Sequence, residues 1–364
     1  MKPSRIMIAC LLICFAIILS FGCSDATGNT TPPLQVGIVY VSTPGTMGES
    51  YMHEMGTQGL ESHFGERIHV TRMENIPENG TSALAFDFLV DEGCSIIFGT
   101  SYNYQEFMQD AAQEHPEVRF EHCSGYLREE NMSSYYGRMY QARYLTGIIA
   151  GSMTESDKIG YVAPFATPDI VRGINAFTLG VRSANPDATV TVQWSGTWFN
   201  ATTEGQKAQD LISLGCDVLA QHQDTSAVAS AAISAGKYAI GYNADFRAML
   251  EDDKVLVSSL WSWERYMIPA VQAVLDGTWE SQDYWGGFED DMIRLSTVSP
   301  LVPLAVKQLV EEKQSAMANQ TFDVFWGELK DTDGTIRQSA EGKMSDTALR
   351  TMNWFVQGVI DSDD

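Results

Sequence analysis

The chain has 364 residues, 44% of them hydrophobic, more than one core usually accommodates, so two packed lobes are expected and a disordered chain is not. Its 47 acidic residues against 23 basic ones give a net charge of -24, which argues against nucleic acid as a partner because phosphates would be repelled.

At the start, Lys2 and Arg5 precede an apolar run from Ile6 to Phe21, then Gly22-Cys23 and a polar stretch. This is a secretion signal. A small residue before cysteine resembles a lipoprotein cleavage site in which Cys23 is acylated, although Ser20 stands where such sites carry Leu. The run of 16 is short for a membrane span, which favours cleavage over an uncleaved anchor. Either form leaves the protein extracytoplasmic and attached to the membrane.

Short β-rich runs then alternate with helical patterns, as in parallel sheets covered by crossover helices. Leu34 to Val41, Ile68 to Met73, Ser95 to Gly99 and Val118 to Cys123 read as strands, separated by helices such as Ser82 to Asp91 and Tyr104 to Gln113. Tyr136 to Met153 reads as one strongly periodic helix. The alternation restarts with strands at Lys158 to Val162, Thr189 to Trp194, Val218 to Gln221, Tyr238 to Tyr242 and Val255 to Ser259. Helices are expected near Asp169 to Arg182, Thr203 to Leu214 and Ser226 to Ala235, and another from Trp261 to about Leu275. A hairpin is expected from Phe322 to Leu329 and Gly334 to Arg337, and a closing helix from Ser345 to Ile360. The organisation expected is a signal peptide at 1–22, a tether at 23–33, a first lobe at 34–157 and a second at 158–258. Residues 259–364 then return to the first lobe and end in a part that crosses between lobes.

Chemistry motifs are mostly missing. There is no phosphate loop, no dinucleotide glycine fingerprint and no Gly-x-Ser-x-Gly elbow, so catalysis is not expected. His53-Glu54 begins a zinc-protease pattern that fails at Thr57, and His53 reads as a helix-surface or loop-helix polar contact. Asp331 and Asp333 read as a turn and not a calcium loop. Cys94, Cys123 and Cys216 are an odd set and read as small buried residues. Neither a metal nor a cofactor is expected.

In open parallel sheets, ligands meet the loops at the C-terminal strand ends. Here those loops carry Glu49, Tyr51, Tyr102, Trp198, His222, Asp224 and Asp245. Flat rings beside carboxylates and amides suit a planar heterocycle, each stack contributing roughly 1–3 kcal/mol. The alternative roles are core packing for the aromatics and helix N-capping for Asp224 and Asp245.

Two stretches, Tyr140-Gln141-Ala142-Arg143-Tyr144-Leu145-Thr146-Gly147-Ile148-Ile149-Ala150-Gly151 and Arg172-Gly173-Ile174-Asn175-Ala176-Phe177-Thr178-Leu179-Gly180, carry a resemblance. Together with Thr197-Trp198-Phe199, Gln221-His222 and Leu275-Asp276-Gly277-Thr278-Trp279, they make the chain similar to the basic membrane protein family of transporter-associated binding lipoproteins. The resemblance implies an α/β, two-lobed, periplasmic-binding-protein-like fold of type I, with a hinge of three crossing segments. It also implies capture of a purine base or nucleoside, delivered to an ABC permease and its ATPase. Asp245 would take the ligand's polar edge or sugar. Trp261 falls where nucleoside binders carry a ribose-contacting Lys, which favours a base without its sugar. Thr46 and Glu49 stand where close relatives have Asp and Trp, so a different, cationic solute stays open, as does a ligand sensor reporting to a receptor. Arg143 and Asn175 read as residues that fix the hinge and lobe packing.

Overall fold

A computed structural model describes residues 32–362. The leader, Cys23 and most of the tether lie outside those residues.

The first sheet begins with β1 (Leu34–Val39), whose last four residues are buried. It continues through α1 (Glu49–Phe64), β2 (Ile68–Met73), α2 (Gly80–Asp91), β3 (Ile96–Gly99), α3 (Gln105–Glu114), β4 (Arg119–Cys123) and β5 (Met132–Gly137). Then come α4 (Met139–Met153), β6 (Lys158–Ala163), α5 (Pro168–Ala184), β7 (Thr189–Trp194), α6 (Ala201–Ser213), β8 (Val218–Gln221), α7 (Ala227–Ser234), β9 (Tyr238–Tyr242), α8 (Phe246–Leu250) and β10 (Val255–Trp261). The remainder is α9 (Glu264–Asp276), β11 (Asp283–Gly286), β12 (Ile293–Leu295), α10 (Leu304–Ala318), β13 (Leu329–Lys330), β14 (Ile336–Gln338), α11 (Asp346–Arg350) and β15 (Val359–Asp361).

These strands build two sheets, ordered β11-β5-β4-β3-β1-β2 and β12-β10-β9-β8-β6-β7-β15. The first is parallel throughout, and the second is parallel except for its edge strand β12. Buried apolar strands such as Ile96–Gly99 and Val218–Gln221 follow from helices covering both faces.

The chain passes between the sheets three times: after β5, after β10, and between β11 and β12. Backbone hydrogen bonds tie these crossings together, from Arg138 N to Gly286 O at 2.7 Å and from Ser262 N to Met292 O at 2.9 Å.

Helix α4 packs on α5, α10 and β10, elements joined to the second sheet. A lobe boundary at 157 is therefore corrected to a crossing near Gly137–Arg138, and β10 carries the second sheet past 258 to Trp261. The two family-like stretches are α4 and the middle of α5. They approach backbone to backbone: a Cβ on Gly147 would sit 2.1 Å from the Phe177 carbonyl oxygen, and one on Gly180 would sit 2.0 Å from that of Tyr144.

Three other expectations are corrected. Tyr136 and Gly137 belong to β5, so the helix starts at Met139. Trp261 ends a strand, and the helix after it starts at Glu264. The closing helix is one short segment, Asp346–Arg350, followed by extended chain that ends as β15 beside β7. Asn175 explains the last case. Its Nδ2 donates to Trp354 O at 2.7 Å and its Oδ1 accepts from Val356 N at 2.9 Å, which replaces helical hydrogen bonds. The expected hairpin is present but short, pairing β13 with β14, and Asp331 holds its turn by accepting from Asp333 N and Thr335 N.

Candidate functional site

Gly48 leads into α1 with φ +90, and a Cβ there would lie 3.1 Å from the Asp224 Cβ. Glycine thus allows both the turn and the close approach of the two lobes. Glu49 follows at the start of α1, half-buried, with its Oε2 accepting from Asn243 Nδ2 at 3.1 Å. The same Nδ2 donates to Asp224 Oδ1 at 2.9 Å. Asn243 follows β9 in a left-handed conformation, φ 55, which Asn tolerates better than most side chains. One amide therefore joins a carboxylate from α1 to a carboxylate following β8. Burial first, and the Glu49 charge second, push the Asp224 carboxyl up to about 7.

On its other side Glu49 meets His53 one turn later, Oε1 to Nδ1 at 3.1 Å. His53 is fully buried and not on the helix surface. Its ring stacks on Trp263 at 4.3 Å, Trp263 stacks on Trp261 at 4.5 Å, and Tyr136 lies 5.1 Å from Trp261. The Glu49 carboxylate thus borders a continuous run of rings from the crossing after β10. Tyr51, half-buried on the same helix, packs against apolar clusters of both lobes.

The other expected residues are placed less closely. His222 is buried after β8, its ring 4.5 Å from that of Tyr242. Burial and the charges of Arg143 and Arg172 hold its pKa well below the usual histidine range, so its ring is neutral. Trp198 is 46% exposed, with its ring 5.7 Å from Phe165, and its carbonyl oxygen accepts from Asp224 N at 3.2 Å. Asp245 caps α8, its Oδ1 accepting from Ala248 N at 3.2 Å. Tyr102 is 48% exposed, and no hydrogen bond or ring contact joins it to the Glu49 set among the described residues. Sequence reasoning missed Asn243, Trp263 and Tyr136 as members of this set. The only local hint was the left-handed tolerance of an Asn directly after a strand.

The arrangement sets carboxylate, amide and imidazole groups beside a run of rings in which His53, Trp263 and Trp261 are themselves buried and stacked on one another. Cys94, Cys123 and Cys216 are buried free thiols. Among the described residues no helix is long and apolar enough to cross a membrane.

The family of PnrA-like ABC transporter substrate-binding proteins matches residues 35–322. A purine-binding protein of Brucella abortus (strain 2308) is 34% identical over 90% of this chain and 93% of its own length. A Haloferax volcanii protein named for glucose binding in an ABC transporter is 35% identical over 88% of this chain and 79% of its own. In fold, a solute-binding protein from Aeropyrum pernix K1 superposes with a TM-score of 0.69 at 17% identity, covering 86% of this chain and 95% of that one. A transcriptional activator of the comK gene from Bacillus halodurans also superposes with a TM-score of 0.69, at 23% identity over 79% of this chain and 99% of that one. The two-lobed α/β fold is shared with the two superposed structures, and by sequence the chain belongs to the PnrA-like family of ABC transporter substrate-binding proteins.

Proposed function

We propose that the protein captures a purine base, or its nucleoside, in the cleft between its lobes and delivers it to an ABC permease and ATPase, catalysing nothing itself. The observation that carries this reading is the Glu49–Asn243–Asp224 hydrogen-bonded set beside the rings of Trp261, Trp263 and Tyr136. Carboxylate oxygens of Glu49 and Asp224 and the unpartnered Asn243 Oδ1 match the N–H donors of a purine edge, and aromatic rings match its face. The purine-binding relative supports this choice, while the relative named for glucose supports a sugar. A second reading, a small cationic solute, is favoured by two carboxylates sharing one amide donor. Trp198, Tyr102, Tyr51, His222 and Asp245 are proposed as further ligand contacts, and Cys23 as the lipid attachment that keeps the protein at the outer face of the membrane.

Thermal-shift and calorimetric titrations with adenine, guanine, hypoxanthine, their nucleosides, small amines and glucose test this. A purine should raise the melting temperature with a saturable dose dependence and be recovered unchanged. Stabilisation by glucose or an amine, with no purine effective at millimolar concentration, would overturn the ligand class.

A further inference from the structure

A small cavity of about 10 Å³ lies where the start of α4, the start of α5 and the end of β8 meet, lined by Tyr136, Arg143, Asp169, Arg172, Gly173 and His222 among others. Arg143 is fully buried. One of its N–H groups donates to Gln221 O at 2.8 Å, and its guanidinium sits 4.1 Å over the Tyr242 ring, yet Nε and Nη2 have no hydrogen-bond partner among the described residues. Arg172 is 5% exposed, donates from Nη1 to Leu349 O at 2.7 Å, and leaves Nε without a partner. His222 Nδ1 is likewise without one. Neither arginine forms an ion pair among the described residues. The one lining carboxylate, Asp169, accepts from Thr167 Oγ1 at 2.6 Å. Two guanidinium charges therefore share this cavity with a single carboxylate. A buried charge left unpaired is strongly disfavoured, and unpaired buried N–H groups add to that cost.

Gly173 keeps the space open. A Cβ on it would meet His222 Nδ1 at 3.8 Å and Arg143 Cγ at 3.9 Å, so a methyl group fits there and takes up part of the space beside the His222 donor. We propose that this cavity is a small-anion site in which Arg143, Arg172 and His222 donate to one monoanion, a free halide or an oxygen of a carboxylate. Its size matches, since a space of this volume admits about one water-sized particle. The excess positive charge of the lining sets the sign. The site goes beyond the purine reading and requires no cleft ligand.

The test uses the ligand-free protein in sodium isethionate, whose bulky sulfonate carries no carboxylate, at constant ionic strength. Chloride and formate are titrated separately, following the melting temperature and, for chloride, the chlorine-35 line width. A saturable rise with chloride, with line broadening reversed by bromide, is expected for a free-ion site, and a saturable response to formate alone would assign the site to a carboxylate group. Gly173→Ala should raise the resting melting temperature, because Ala favours a helix over Gly, while removing the anion response. Asp169→Asn should tighten anion binding several-fold by deleting the competing negative charge. No response to either anion in the wild-type protein, or an undiminished response in Gly173→Ala, would overturn the proposal. The cavity shares Tyr136 and His222 with the proposed ligand contacts, so the purine screen is run in the same isethionate buffer, and an anion response without purine binding, or the reverse, makes the two readings fail separately.

Discussion

Glu49 and Asn243 lie 194 positions apart and are joined by a 3.1 Å hydrogen bond from the Asn243 amide to the Glu49 carboxylate. Because Asn243 also donates to Asp224, the contact between the lobes places two carboxylates on one donor group, and like charges so placed repel unless a proton or a ligand N–H relieves them.

Stability should therefore depend on pH. The Asp224 carboxyl is pushed up to about 7 by burial and by Glu49, and that of Glu121, buried beneath Tyr266 and Trp279, is pushed up to about 7 chiefly by burial. An unfolded carboxylate titrates near ~4, so between about pH 4 and 7 the folded chain keeps protons that the unfolded chain has released. The contribution of these two groups to folding stability is then fully present below that window and is lost as pH rises through it. Asp224→Asn and Glu121→Gln should each flatten the decline, as urea unfolding midpoints from pH 4 to 8 would show. Identical pH profiles for wild type and both variants would exclude this origin.

Trp261 and Trp198 should separate core from surface. Trp261 is 1% exposed within the ring stack, and Trp261→Ala should cost about 3–5 kcal/mol of stability. Trp198 is 46% exposed, so Trp198→Ala should change stability by no more than about 0.5 kcal/mol. If Trp198 stacks on the ligand, the same substitution should weaken binding by about 1–3 kcal/mol, measured by calorimetry.

The contact between α4 and α5 should tolerate no side chain at its centre. Gly180→Ala would place a methyl carbon 2.0 Å from the Tyr144 carbonyl oxygen, where only backbone movement relieves the clash. A loss of about 1–3 kcal/mol or more is expected in denaturant unfolding. An unchanged midpoint would mean that the helices can separate without cost.

Asn175→Ala should release the C-terminal segment. It would leave Trp354 O and Val356 N without their side-chain partner, at about 1–3 kcal/mol for each buried group. Faster amide exchange at Val359–Asp361, against unchanged protection in β6, is the expected readout.

The alternation of apolar strands with amphipathic helices was legible from the amino acids alone, because each pattern reports which faces its own segment must bury. The loops at the strand ends, where Glu49, His222 and Asp224 sit, were legible for the same reason, since parallel strands direct their C-terminal ends to one rim. Tertiary structure decided everything that depended on a partner remote in sequence. The segment after Arg350 has no helix because Asn175 holds its backbone extended. Trp261 is a strand end because it pairs with Ile293 of β12, and Asn243 joins Glu49 to Asp224 only once two lobes face each other. Local propensity amounts to a few tenths of a kcal/mol per residue, so a single buried hydrogen-bonded side chain or a paired strand outweighs it.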